Sequence, residues 1–220
     1  MFQRNIQFWG EEKQQLLARS TILIAGVGGL GCTVAEGLTR AGIGKLILID
    51  NDKVEISNLN RQILYYQNDL GKPKIEVAKR RLKAINPELD IMLFHDSIEN
   101  LEKASLPHFN GIADCLDNFS ARFKLENLLK PNNFLVHGGV QNDFGQITTI
   151  KPEKTQTLKD IYPGVHIPVA VPIIPQNVLS IGSLMVQEII NNLFGKPQLL
   201  NKMLILELSD FSMFKMEIKK

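Results

Sequence analysis

A doubly wound α/β sheet, Rossmann-like, parallel in its first half and antiparallel towards the carboxyl terminus, is the fold class that the sequence predicts. Three observations predict it. Short Leu/Ile-rich runs alternate with stretches of helical spacing as far as residue 140, the pattern of strand–helix–strand crossovers. The first run breaks into the glycine-rich turn Gly26-Val27-Gly28-Gly29-Leu30-Gly31. Beyond it, Asn142–Asp143 separates two apolar runs closely enough for a tight antiparallel turn.

The elements follow in order. Residues 1–17 read as a helical arm carrying Phe2, Ile6, Phe8, Trp9 and Leu16, more apolar bulk than a free tail normally exposes. Residues 21–26 (TILIAG) and 45–50 (KLILID) read as parallel strands buried on both faces. Between them, 29–42 places Leu30, Val34, Leu38 and Ala41 at helical spacing and stops at Gly42. Residues 73–85 form a basic amphipathic helix opened by Pro73 and closed by Asn86–Pro87. Strands are expected at 89–94 and 111–116 with a short helical connection, then a helix at 119–129 and a strand at 134–140. The strand after Gly145 should run antiparallel to its predecessor. Residues 151–175 are rich in proline and poor in periodicity, and form a long crossover loop. A helix at 176–194 and strands at 203–208 and 212–218 complete the chain.

The chain has 220 residues, expected to form one domain. Lys plus Arg is 25 against 23 for Asp plus Glu, a net charge of +2 that gives no electrostatic case for nucleic acid or a membrane surface. Two cysteines, Cys32 and Cys115, cannot build a disulfide framework or a four-cysteine zinc site. No apolar signal core opens the chain, and a cytoplasmic location is expected. Cys115 in an apolar strand and Cys32 at the start of a helix read as core packing, although a helix N-terminus could lower the pKa of Cys32. His137 reads as a strand-end residue near the pocket, and His166 as a solvated loop residue rather than a metal ligand.

Chemistry concentrates after the first strand. Glycines in that turn let backbone N–H groups approach a phosphate at a helix N-terminus. Asp50 closes the second strand, where a carboxylate can accept ribose hydroxyls. A tight turn with an incidental acid is the bland alternative. A nicotinamide dehydrogenase lacks support downstream, because no hydride-transfer acid pair follows. Residues 50–62 (DNDKVEISNLNRQ) instead leave the strand with Asn58 and Arg61 three apart, on one face of a helical turn. Lys74 follows in GKPK. Two cations and an amide around a glycine loop suit a triphosphate. Asp117, in DCLDN at the end of the fourth strand, could hold Mg²⁺ against phosphate oxygens.

Taken in order, GVGGLG, IDNDKVEISNLNRQ, GKPK and DCLDN resemble the ThiF/MoeB/HesA family, relatives of ubiquitin-activating enzymes, over nearly the whole chain. The resemblance implies a homodimer that uses ATP and Mg²⁺ to adenylate the C-terminal Gly-Gly carboxylate of a small ubiquitin-like sulfur carrier, ThiS- or MoaD-like. Such carriers serve thiamine or molybdopterin sulfur transfer. It implies nucleotide contacts from Gly26, Gly28, Gly29, Gly31, Asp50, Asp52 and Gln62. It gives phosphate handling to Asn58, Arg61 and Lys74, Mg²⁺ binding and catalysis to Asp117, and reach into the other subunit's ATP to Arg4. Two features depart from the family. The paired Cys-x-x-Cys zinc ligands of many relatives are missing, so no zinc is expected. No cysteine lies in 151–175, so that loop offers no thiol for covalent transfer. The aliphatic stretch 165–175 reads either as a buried crossing or as a guide for an extended Gly-Gly tail. Other members of the class remain open: one acting on another peptide or on tRNA, or a carrier-binding protein without turnover.

Overall fold

A computed structural model of the chain describes residues 1–101, 106–165 and 171–218. These residues form an eight-stranded sheet in the order β3-β2-β1-β4-β5-β6-β7-β8. The strands are β1 (Thr21–Ala25), β2 (Lys45–Ile49), β3 (Asp90–Phe94), β4 (Gly111–Asp114), β5 (Phe134–Gln141), β6 (Phe144–Ile150), β7 (Lys202–Glu207) and β8 (Ser212–Glu217). The first five pair in parallel and the last three pairings are antiparallel. The expected Rossmann-like mixed sheet is therefore what the chain forms.

The helices are α1 (Gln3–Trp9), α2 (Glu11–Arg19), α3 (Gly29–Ala41), α4 (Lys74–Ile85), α5 (Phe119–Glu126), α6 (Leu158–Ile161) and α7 (Pro175–Leu193). Alternate residues of β1 and β2 feed opposite faces. Ile22, Ile24, Leu46 and Leu48 pack into one cluster with residues of α3, α4 and α7. Leu23, Ala25, Ile47 and Ile49 pack into a second with residues of α5 and α6. Burial on both faces explains why these strands are near-continuous Leu/Ile runs.

Glycine sets how closely α7 approaches α3. A Cβ on Gly37 would lie 2.7 Å from the Val186 side chain, and one on Gly182 would lie 2.6 Å from Thr33. Gly42 ends α3 in the left-handed region at φ 92°, where its N–H bonds the carbonyls of Leu38 and Thr39. Asn142, at φ 53°, turns β5 into β6, a conformation that asparagine tolerates better than most residues.

Several boundaries differ from expectation. The helix expected to reach residue 129 ends at Glu126. The crossover loop contains the one-turn α6, opened by a reciprocal Thr157–Asp160 capping box. At its far end Pro172 accepts the Asn142 N–H (2.8 Å) and Ile173 bridges to Asn142. The connection expected to be helical before residue 111 is a turn at 98–100, and part of it lies outside the described residues. The arm packs on its own chain: Gln14 donates to the Ala41 carbonyl (3.0 Å), and Trp9 meets Phe194 edge-on. Among the described residues, no helix is long and apolar enough to cross a membrane.

Candidate functional site

The strand order reverses between β1 and β4, since β1 leads to β2 on one side while β4 and β5 build outward on the other. Open parallel sheets bind ligands in the crevice at such a point, beyond the carboxyl ends of the strands. The glycine turn leaves β1 there and the Cys115–Asp117 segment leaves β4 there. Their contact is intimate. A Cβ on Gly26 (φ 82°) would lie 2.8 Å from the Cys115 carbonyl oxygen, and one on Gly31 only 1.9 Å from that of Gly26.

Asp50 follows β2, and its carboxylate faces the turn. Its Oδ2 accepts the Val27 N–H (2.7 Å) and its Oδ1 the Asp52 N–H (2.8 Å). The Val27 carbonyl accepts the buried Tyr65 hydroxyl (2.7 Å), so this peptide is pinned from both sides. Gly28 and Gly29 lie on the side of the loop facing the Gln62 and Arg61 side chains. Gln62 is buried, and its Oε1 has no hydrogen-bond partner among the described residues.

Lys74 begins α4 with its side chain almost wholly buried. Its ammonium meets Asp52 Oδ2 at 2.7 Å and its N–H bonds the Asp52 carbonyl (2.9 Å). The segment that carries Lys74 is braced from behind by Asp69. This carboxylate is 1% exposed and is contacted by Arg80, Arg81 and Lys72. Burial pushes the Asp69 carboxyl up, but the two arginines outweigh it and hold it at about 2. Asn58 is buried, and its Oδ1 accepts the Glu55 N–H (3.1 Å) in a capping box around the 3₁₀ turn 56–58. Arg61 donates to the Ser57 carbonyl (2.9 Å) and Asn60 Oδ1 (2.8 Å). Asp117 is exposed at the β4 side of the crevice, beside Asn118.

The structure thus brings the glycine turn, Asp50, Asp52, Gln62, Lys74 and Asp117 to one end of the sheet, with Asn58 and Arg61 on the turn beside them. Arg4 stands apart. Asn5, one residue on, donates to the carbonyl of Arg40 at the far end of α3, and α3 has 13 residues, a separation of about 20 Å from the turn.

The thiols are packing groups. Burial pushes Cys32 up to about 12 and Cys115 well above the ordinary thiol range, overriding any lowering by the helix N-terminus. His137 is not at a strand end. It sits inside β5, fully buried, with Nδ1 2.7 Å from Asp114 Oδ2. His166 lies outside the described residues. Sequence reasoning gave no role to Tyr65, Asp69, Asp114, Arg122 or Tyr162. The signal available for Asp114 and Arg122 was their place in and just after the DCLDN motif; the pairing itself depends on strand register.

The residues present fit a nucleotide triphosphate. A Gln62 oxygen unpartnered among the described residues, a buried ammonium held by Asp52, and a glycine turn opening a helix are donors and acceptors that phosphates and ribose use. Among the described residues no three metal-ligating side chains gather, so Asp117 would hold Mg²⁺ only in company with phosphate oxygens.

Comparison with known proteins agrees. The ThiF family profile matches residues 2–220. The molybdopterin-synthase adenylyltransferase of Haemophilus influenzae is 36% identical over 161 residues, 72% of this chain and 65% of that protein. The sulfur carrier protein adenylyltransferase of Thermus thermophilus is 32% identical over 230 residues, covering 96% of this chain and 83% of the relative. The crystal structure of E. coli MccB with ATP has the same fold, with a TM-score of 0.81 at 24% identity over 94% of this chain and 66% of that one. The chain spans a little under two thirds of the length of the H. influenzae protein. A match that runs from residue 2 to residue 220, on a sheet whose switch point gathers the family's motifs, establishes that the chain belongs to the ThiF family.

Proposed function

We propose that the chain adenylates the C-terminal Gly-Gly carboxylate of a small ubiquitin-like sulfur carrier, using ATP and Mg²⁺ and releasing pyrophosphate. The carrier is ThiS- or MoaD-like, the protein works in the cytoplasm as a homodimer, and residues 1–220 act as one adenylation unit. The observation that carries this reading is the Asp50 carboxylate accepting the Val27 N–H of the glycine turn at the β1/β4 switch point, with Lys74 paired to Asp52 two residues on and Asp117 just beyond β4. The names of the H. influenzae and T. thermophilus relatives support the reaction class.

A carboxylate is a poor electrophile until it carries a good leaving group. Its oxygen attacks the α-phosphorus, the α–β phosphoanhydride bond breaks, and the electron pair leaves with pyrophosphate. Such a transfer needs positioning and charge neutralisation rather than a side-chain nucleophile. Backbone N–H groups of Gly28 and Gly29 cradle phosphate, and Asp50 takes the ribose hydroxyls. Asn58, Arg61 and Lys74 spread charge over the departing oxygens, which requires Lys74 to exchange Asp52 for phosphate. Asp117 would hold Mg²⁺, which would supply further neutralisation of the phosphates. Arg4 completes the site of the other subunit.

With a Gly-Gly-ended carrier, the protein should catalyse carrier-dependent, Mg²⁺-dependent ATP–pyrophosphate exchange. Changing Arg61, Lys74 or Asp117 to Ala should each lower it at least about a hundredfold, the scale for one preorganised electrostatic group. Exchange that survives Asp117→Ala removes that residue from catalysis, and NAD reduction in place of exchange overturns the reading.

A further inference from the structure

Behind Asp117 lies a buried polar cluster that the proposed chemistry does not use. Arg122, on α5, is 7% exposed and turns back across the end of β4. Its Nε (3.1 Å) and Nη2 both donate to the Leu116 carbonyl, the peptide oxygen immediately before Asp117. Its Nη1 lies 3.2 Å from His137 Nε2. Asp114, fully buried, has Oδ1 4.0 Å from Arg122 Nε and Oδ2 2.7 Å from His137 Nδ1. The Tyr162 hydroxyl, from the crossover loop, lies 3.2 Å from the same His137 Nε2.

These partners define the protonation pattern. His137 Nδ1–H donates to the Asp114 carboxylate, which leaves the single Nε2 lone pair to be shared between the Arg122 Nη1 and Tyr162 hydroxyl donors. Burial and the adjacent guanidinium keep the ring neutral. Burial pushes the Asp114 carboxyl up, but Arg122 and the His137 N–H outweigh it and keep it ionised. The cluster therefore sets one positive against one negative charge, joined through a neutral ring, the condition under which buried ions are tolerated. It holds the crevice segment through the paired Arg122 donation to the Leu116 carbonyl and through the Leu116 N–H, which Asp114 Oδ1 accepts (3.2 Å).

We propose that Arg122, seated by Asp114 and His137, is the positioning residue that fixes the Leu116–Asp117 turn for metal-bound nucleotide, and that Tyr162 couples this position to the crossover loop. The inference rests on the adenylation reading, in which Asp117 holds Mg²⁺. Partners behind a metal-binding carboxylate are commonly worth ten- to a hundredfold in metal affinity. Arg122→Lys keeps the charge and loses the bidentate donation. Tyr162→Phe removes one hydroxyl, and His137→Phe removes both ring nitrogens.

The test titrates Mg²⁺ at fixed ATP, reading ATP binding by calorimetry and pyrophosphate exchange separately, with thermal melting as a control. Arg122→Lys should bind ATP in EDTA as the wild type does. It should need at least about tenfold more Mg²⁺ for half-maximal binding and exchange, and kcat should fall more than the ATP KM rises. His137→Phe should follow it, and Tyr162→Phe should shift the Mg²⁺ requirement several-fold in the same direction. A folded Arg122→Lys protein with a wild-type Mg²⁺ requirement overturns the proposal. So does equal loss of binding with and without Mg²⁺ in step with a lowered melting point, the mark of a merely structural role. If the wild type gave no exchange, the adenylation reading would fall, while Mg²⁺-dependent ATP binding would still decide the positioning role.

Discussion

Gly31 has the least room of the residues in the glycine turn. A methyl group there would sit 1.9 Å from the Gly26 carbonyl oxygen, and backbone cannot yield as a flexible side chain does. Gly31→Ala must separate α3 from the end of β1, an overpacking cost of about 1–3 kcal/mol. Denaturant unfolding should register that loss, and calorimetry should show ATP affinity lowered at least about tenfold, since the N–H groups of the turn move with the helix. Wild-type affinity in this variant would mean that the turn does not bind phosphate. Tyr65 makes a complementary point at the same scale: a single phenol holding the Val27 carbonyl was invisible in a sequence where it reads as one more apolar residue after Leu64.

Among the elements, α5 and the crossover loop meet at Glu126, which accepts the Leu158 N–H (2.9 Å) and lines a cleft of about 590 Å³ with Lys151 and Lys159. Burial raises its carboxyl from 4.5 to about 7. Between those values the folded chain holds a proton that the unfolded chain has released, so this group's contribution to stability falls as pH rises through the window. Glu126→Gln keeps an acceptor for Leu158 and removes the ionisation. Its denaturation midpoint should therefore gain on the wild type between pH 5 and pH 8, by well under about 1 kcal/mol because solvent reaches the group. A pH-independent difference would contradict this. The strands and longer helices were legible because burial on both faces writes β1 and β2 as Leu/Ile runs, and Gly42 and Asn86–Pro87 mark helix ends. The turn at Asn142–Asp143 was legible for the same kind of local reason. The one-turn α6 was not, since its Thr157–Asp160 box sits among prolines with no apolar period. The Asp114–His137 pair was hidden too, because those residues are neighbours only through the register of β4 and β5. The glycine turn, Asp50, Lys74 and Asp117 were readable as a set because each stands at the end of a strand or the start of a helix.

For the molecule as a whole, Arg4 lies beside the far end of α3, about 20 Å from the glycine turn of its own chain, and in the proposed dimer each Arg4 serves the other subunit's nucleotide. Arg4→Ala and Asp117→Ala should each be nearly inactive. Mixed with verified subunit exchange, half the dimers carry one intact site of two, and activity should return to about a quarter of the wild type. Persistent inactivity would sink the shared site. The strand order has another consequence, for how the chain is made. β1 takes β2 as its first neighbour after a short crossover, but its other edge waits for β4, and Ala25 pairs with Asp114 only once that residue has been synthesised. At ordinary elongation rates that interval is on the order of 5–20 s. Throughout it the nascent sheet presents an open hydrophobic edge to solvent or to a chaperone. α7, which covers the same strands, arrives later still. The switch point that makes the crevice is thus a seam that closes only after β2 and β3 have been made, and a ribosome-stalled fragment ending before residue 111 has no means of forming it.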